Sequence, residues 1–379
     1  MAHTFLILGG YGNAGGPVAD LLLKETNSNL IIAGRNLTKA ENFTEVLNKN
    51  YSGNRVRALQ VDAQNFDQLK AAFPDINMVI VASSTATFTE TVAKAALDCK
   101  IDYLDIQFSH EKIRILKSLG DKISKAGLCF ITDGGYHPGI PAAVVRYSAT
   151  RMDTLIEAAV GAIMNINWKA YQFSDETIKE FTEELKGGAP LIFKNEVWEK
   201  AKWGGMLDTI KMNFGDPYGK HELFPMFLEE MRDLPVNFPN LKKTGFYIGG
   251  MDWFSNWISF PLASTWFQIF PQSQSRWIEK MIFRGMKKFS RPPYYTRIKL
   301  ESKGILKGRS VEYSITLSHP DGYIFTAIPV VACLKQYMNG DFKKAGLYTQ
   351  AEIVEPVQFM EDMKRMGIEV EEDYSGGVP

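Results

Sequence analysis

Short apolar runs alternate with amphipathic stretches through the first third of the chain. Thr4–Leu8, Asn29–Gly34, Val56–Asp62, Met78–Ala82, Asp102–Ile106 and Leu128–Thr132 read as strands. Met78–Val81 has no polar position, the pattern of a parallel strand covered on both faces. The segments between carry helical spacing: Pro17–Lys24, Thr38–Lys49, Phe66–Phe73, Thr87–Cys99 and His110–Ala126. In the second of these Phe43, Val46 and Leu47 share a face, and Thr38 with Glu41 makes a capping box. Strand and helix in strict alternation predict a doubly wound parallel sheet of about six strands, an α/β Rossmann domain.

The alternation stops after Gly134-Gly135. Beyond Pro138-Gly139-Ile-Pro141 the chain predicts a helix over 142–150, a strand over 155–166 and an amphipathic helix over 174–186, capped by Ser174 and stopped by Gly187-Gly188. Weaker strands fall at 193–203 and 211–214, and a helix is expected over 223–231. In 310–318, Val311, Tyr313, Ile315 and Leu317 alternate with polar neighbours, so this segment and 296–302 read as antiparallel strands. Helices over 324–338 and 357–366 close the chain. The expected organisation is a Rossmann domain from residues 1–136 plus 324–379, with an α+β domain, 137–323, inserted between.

The first strand runs into Gly10-x-Gly12-x-x-Gly15 and then into a helix. In that context the spacing has a mechanism. Gly10 permits the turn, Gly12 admits a pyrophosphate to the backbone, and Gly15 lets the helix pack on the strand. The helix N-terminus offers its free N–H groups to the phosphates. Tyr11, Asn13 and Ala14 complete the loop. An acidic residue at the end of the second strand would mark NAD; this chain has Arg35 there. A guanidinium suits a 2′-phosphate, so the expected cofactor is NADP(H).

Ligands of open α/β sheets lie at the carboxyl ends of the strands. That rule selects Asp62 and Ala63 near the adenine, then Ala82, Ser83 and Ser84, then Asp105. Tyr136 and His137, which follow the sixth strand, are candidate general acids for hydride-transfer chemistry. Asp105 has a structural alternative, as holder of a neighbouring loop amide. Tyr295 and Lys299 show the Tyr-x-x-x-Lys spacing of short-chain reductases. They fall on a strand, about 13 Å apart at ~3.3 Å per residue, and the spacing is read as chance.

Composition narrows the partners. The 43 basic and 43 acidic residues balance, so nucleic acid is not expected. Cys99, Cys129 and Cys333 have no metal-ligand spacing and suit a reducing, cytoplasmic compartment. The first strand starts too early for a signal peptide. Residues 246–295 hold four of the seven tryptophans, followed by Arg276, Lys280, Arg284, Lys287, Lys288 and Arg291 as one basic stripe. This segment suits a peripheral membrane contact, a subunit interface, the lid of an apolar pocket, or core with a solvated basic face.

Together these residues resemble the saccharopine dehydrogenase-like family of NADP-binding oxidoreductases. The resemblance rests on Gly9-Gly-Tyr-Gly-Asn-Ala-Gly-Gly16, Ala33-Gly-Arg35, Val61-Asp62, Tyr103-Leu-Asp-Ile106, Gly135-Tyr-His-Pro-Gly139 and Pro217-Tyr-Gly219. It implies a C-terminal helix returning to the Rossmann domain, and an inserted domain that carries substrate contacts and often a homodimer interface. Family members act on amino-acid adducts, polyamine precursors and lipid-like substrates. A dicarboxylate substrate would want convergent arginines. Between Asp153 and Ser275 this chain has only Arg232, which shifts the expected small-molecule substrate towards an apolar or amphipathic one.

Overall fold

A computed structural model of the protein describes residues 2–171, 190–270, 276–342 and 344–375. The helix expected over 174–186 lies outside the described residues. The chain divides into two compact units, 1–139 with 326–363 and 140–325 with 364–379.

The first unit opens with six strands: β1 (Thr4–Leu8), β2 (Asn29–Gly34), β3 (Val56–Gln60), β4 (Met78–Val81), β5 (Asp102–Asp105) and β6 (Cys129–Thr132). Helices α1 (Gly15–Glu25), α2 (Leu37–Asn50), α3 (Phe66–Ala72), α4 (Thr89–Cys99) and α5 (His110–Lys125) connect them. Every pairing is parallel, in the order β6-β5-β4-β1-β2-β3. Both faces are covered. Leu6 and Leu8 enter a core with Ile31, Val79, Val81, Tyr103 and Phe130, while Phe5 and Ile7 are equally buried on the other face. The α2 cap is Asn36, whose side chain accepts from the Lys39 amide, and not the expected Thr38 box. Asn36 holds the extended backbone that a cap needs, so the helix starts two residues earlier.

The second unit begins with α6 (Pro141–Ala149) and β7 (Thr154–Asn165). The expected strand at 193–203 is a hairpin of β8 (Leu191–Lys194) and β9 (Val197–Lys200), turned at Asn195 and Glu196, both with positive φ. Next come β10 (Ile210–Asn213), β11 (Lys220–Met226) and β12 (Lys243–Gly249). The helix expected over 223–231 is thus corrected to the end of β11 plus a single 3₁₀ turn, Glu229–Met231. Pairing decides this: Phe224, Pro225 and Met226 lie opposite Ile248, Tyr247 and Phe246. Two helices follow, α7 (Phe260–Ile269, entered through a π-turn at Ser255–Ser259) and α8 (Arg276–Phe289). Arg291 lies past the end of α8 and Lys287 is half-buried, so the exposed basic stripe is narrower than expected. The long antiparallel pair β13 (Tyr295–Leu306) and β14 (Arg309–His319) completes the order β10-β11-β12-β7-β13-β14. Tyr295 and Lys299 both lie on β13.

The chain then contributes once more to each sheet. Helix α9 (Gly322–Asn339) is buried all round from Ala327 to Leu334. Strand β15 (Gly346–Thr349) adds a seventh parallel strand beside β6. After α10 (Pro356–Arg365), β16 (Glu369–Ser375) pairs antiparallel with β14. The last residues therefore join the second sheet, which corrects the expectation that all of 324–379 returns to the Rossmann domain.

Candidate functional site

Parallel strands place all their carboxyl ends at one edge of the first sheet, and the loops there are tied to one another. Gly9 donates its amide to the Ala33 carbonyl at the end of β2. Its φ is +80°, and a Cβ on it would meet the Ser83 Cβ at 2.7 Å and the Ala82 carbonyl at 2.9 Å, so no other residue fits. Gly15 sits against the Gly9 backbone, which brings α1 close to β1. Gly12 is different. A Cβ there would approach only the Gly9 carbonyl, at 3.1 Å, and both Gly12 and Asn13 are exposed.

The two ends of α1 are treated in opposite ways. Arg55 donates to the carbonyls of Leu23 and Thr26 at its C-terminus. At the N-terminus, Ala14 makes no side-chain cap and the first turn holds no acid. The positive end of the helix is thereby left for an anion at the Gly12 loop.

Beside this loop, the Tyr11 hydroxyl accepts from the Asn36 amide at 3.1 Å, and its ring lies against Gly34. Tyr11 thus lies against the end of β2, where Arg35 is exposed. Asp62 and Ala63 follow β3. The Asp62 carboxylate accepts from the Gln64 amide at 3.0 Å, and Ala63 is buried. Ala82 is buried and Ser83 and Ser84 are half-buried after β4, with the Ser83 hydroxyl 3.0 Å from that of Thr85.

Two side chains outside the expected cofactor and catalytic residues organise the remaining strand ends. Gln107 donates through Nε2 to the Ser83 carbonyl and to the Thr85 hydroxyl. Its Oε1 is buried without a hydrogen-bond partner. Lys112, in the first turn of α5, is fully buried. Its Nζ lies 2.6 Å from Asp105 and 2.7 Å from Asp133, and it also donates to the Gln107 carbonyl. Burial alone would lower the Lys112 pKa, but the two carboxylates outweigh it and hold the ammonium above its ordinary value.

Asp105 is consequently not placed to touch a cofactor. One of its oxygens takes Lys112, the other takes the Thr132 hydroxyl at 2.8 Å, and no part of it is exposed. The neighbouring loop amide at Asp133 lies 3.4 Å from it. Gln350 holds the following loop, with Oε1 3.3 Å from the Gly135 amide and Nε2 3.5 Å from the Gly135 carbonyl. No periodicity announces Lys112, Gln107 or Gln350, because their partners come from other elements.

Tyr136 and His137 lie together in that loop, ring centroids 4.4 Å apart. Burial pushes the Tyr136 phenol well above its usual value, so it stays protonated. Burial also pushes the His137 imidazole down, to about 4. At neutral pH His137 is therefore uncharged in the free protein. The folded state binds fewer protons at His137 than the unfolded chain. Stability from this group is complete above pH 6.5 and is lost as pH falls towards 4. Wild type should lose up to about 2 kcal/mol between neutral pH and roughly pH 5 that His137→Gln does not lose, read by urea unfolding. Parallel pH profiles for the two proteins would refute this shift.

The residues present suit a dinucleotide. The open side of Gly12, the uncapped α1 N-terminus, the Arg35 guanidinium and the unpartnered Gln107 acceptor match a pyrophosphate, a ribose phosphate and a carboxamide in kind. Comparison with known proteins agrees. Residues 5–127 match the saccharopine dehydrogenase NADP binding domain family. A carboxynorspermidine synthase from Vibrio cholerae is 23% identical over 273 residues, which cover 66% of this chain and 64% of the relative's length. The structure of apo saccharopine dehydrogenase (L-Glu forming) from Saccharomyces cerevisiae superposes with a TM-score of 0.69 at 16% identity, covering 99% of this chain and 100% of that one, a likeness of fold. The glycine loop thus belongs to a saccharopine dehydrogenase-type NADP-binding domain over residues 5–127, and the chain as a whole shares the fold of saccharopine dehydrogenase.

Proposed function

We propose that the protein is an NADP(H)-dependent oxidoreductase that transfers a hydride to or from a small apolar or amphipathic substrate. The observation that carries the substrate reading is the pairing of Arg232, Arg297 and Arg151 in the second unit. Arg232, alone between Asp153 and Ser275, is held by both oxygens of Glu229, at 2.7 and 3.0 Å. Arg297 is likewise bonded to both oxygens of Glu371, and Arg151 lies 3.8 Å from Glu372. Guanidinium groups already paired internally are poor receptors for a substrate carboxylate.

When bound, the nicotinamide supplies the hydride. The chain's own contribution is binding and proton handling. The exposed Gly12–Asn13 turn admits the pyrophosphate, the Ala14 and Gly15 amides at the N-terminus of α1 orient it, and Arg35 selects the 2′-phosphate. Asp62 and Ala63 border the adenine end, and Ala82, Ser83 and Ser84 border the nicotinamide end. The protonated Tyr136 phenol donates a hydrogen bond to a substrate oxygen or nitrogen, and neutral His137 exchanges the proton that accompanies the hydride. A homodimer is part of this reading, on the strength of the family resemblance, and light scattering checks it.

The test is NADPH oxidation against imines, ketones and enoyl lipids, with dicarboxylate amino acids as the contrast set. Turnover of an apolar or amphipathic member, abolished or strongly slowed in Tyr136→Phe or His137→Gln, is the expected result. Turnover confined to dicarboxylates would overturn the substrate reading. Tight NADPH binding without turnover on any class would instead assign a non-catalytic, NADP-binding role.

A further inference from the structure

We propose that the helical stretch 253–269 and helix α8 form a docking surface for an anionic lipid membrane. The first of its helices is inverted. Ser255, Ser259 and Ala263 are completely buried and Phe267 nearly so, at a spacing of four residues. The opposite stripe, Trp253, Trp257, Ile258, Leu262 and Ile269, is exposed, with Trp257 at 60% and Ile269 at 63%. A helix built to face water would turn its serines outward and its tryptophans inward. Here Ser255 and Ser259 face the protein, and Trp253, Trp257, Ile258, Leu262 and Ile269 face out. None of the eighteen residues 253–270 is charged. An exposed apolar cluster of this kind marks an interaction site.

The neighbouring helix shows what the surface meets. Helix α8 is ordinary on its inner side, where Ile278, Ile282, Phe283 and Met286 pack with Ala263 and Phe267. Its outer side carries Arg276, Lys280, Arg284 and Lys288, one every fourth residue, all exposed. Trp277 is 48% exposed and packs edge-on against Trp266, with centroids 5.3 Å apart. Exposed tryptophan, isoleucine and leucine beside a row of lysine and arginine match the two layers of a membrane interface, acyl chains and anionic headgroups. The chain as a whole is electrically balanced, 43 against 43, so the positive row is a local feature. No described helix is long and apolar enough to cross a membrane, so the segment lies on the surface.

A second copy of the chain fits this surface less well. A two-fold interface sets a patch against itself. It would bring the four exposed cations of each α8 towards those of the other, and α8 offers only Glu279 as an acid.

The test uses the full chain and is independent of cofactor or substrate. Flotation with vesicles of phosphatidylcholine plus phosphatidylserine is compared with flotation on phosphatidylcholine alone. Wild type is expected to float with the anionic vesicles, to release as salt is raised, and to show blue-shifted tryptophan emission when bound. Lys280→Glu with Arg284→Glu should reduce the bound fraction about tenfold or more, and Trp257→Ser with Ile269→Ser should do likewise. All four positions are exposed, so melting temperatures should match wild type. Should a variant melt early, the salt titration of wild type decides by itself. No flotation on anionic vesicles, equal flotation on both lipids, or wild-type flotation of both variants would overturn the proposal. So would a wild-type dimer that ignores vesicles and that Trp257→Ser with Ile269→Ser dissociates, which would assign the surface to a second copy.

Discussion

Replacing Arg35 by Asp is expected to raise the dissociation constant for NADPH about a hundredfold while moving that for NADH by less than about threefold. The two cofactors differ only in the 2′-phosphate, so the difference isolates one contact. A charge-assisted pair with that phosphate contributes roughly 1.5–3 kcal/mol, and reversing the charge adds repulsion. NADH offers a hydroxyl, with which a carboxylate at the end of β2 forms a hydrogen bond. Arg35 is exposed, so the substitution should leave the fold intact and the titration interpretable. Equal losses for both nucleotides would remove Arg35 from the phosphate site and would leave Asn36 and the start of α2 as the place to search.

Lys112→Met should be the most damaging single change in the first unit. It leaves Asp105 and Asp133 buried beside each other without their shared cation. Breaking a buried pair on one side costs about 3–5 kcal/mol, because an uncompensated charge remains. For a unit of this size that is a fall of roughly 10 °C in its melting transition. The pH dependence identifies the cause. Acid protonates the stranded carboxylates and removes the repulsion, so the deficit should be largest near neutral pH and shrink as pH falls. A shift below about 1 kcal/mol would mean that the cluster behaves like a surface ion pair. The consequence reaches the site, because Asp133 begins the loop that carries Tyr136 and His137.

The sequence is most readable where the physics is local. Leu6 and Leu8 against Phe5 and Ile7, the four apolar residues of β4, and the glycines of the first turn each declare their structure within a few positions. Strand β12 declares nothing. Lys243-Thr-Gly-Phe-Tyr-Ile-Gly249 holds two glycines, and it becomes a strand because seven of its residues register with β7 in parallel, far away in sequence. Leu223–Met226 carries helix-compatible spacing and is overruled by pairing with β10 and β12. The same division holds at the candidate site. Gly10, Gly12, Gly15 and Arg35 are legible because a turn and a strand end fix them. Lys112 is hidden because its three acceptors lie at the carboxyl ends of β5 and β6, and an isolated lysine in a helix suggests only a solvated side chain. Asp105 was visible as a strand-end carboxylate, but its partner was not, and so its role was legible only as an alternative.

The route of the chain through the first sheet also sets a timetable. Strand β6 ends at Thr132, and its neighbour β15 begins at Gly346, 214 residues later. At ribosomal rates of ~5–20 residues per second, the edge of β6 waits roughly 10–40 s for its partner. Throughout that interval a newly made chain carries an unfinished row of backbone donors and acceptors, and the apolar body of α9 has not yet been made to cover its face. A nascent chain in this condition is a client for chaperones and a target for proteases. Premature termination anywhere before Gly346 would leave that edge permanently open, even though every residue of the nucleotide loop had already been translated.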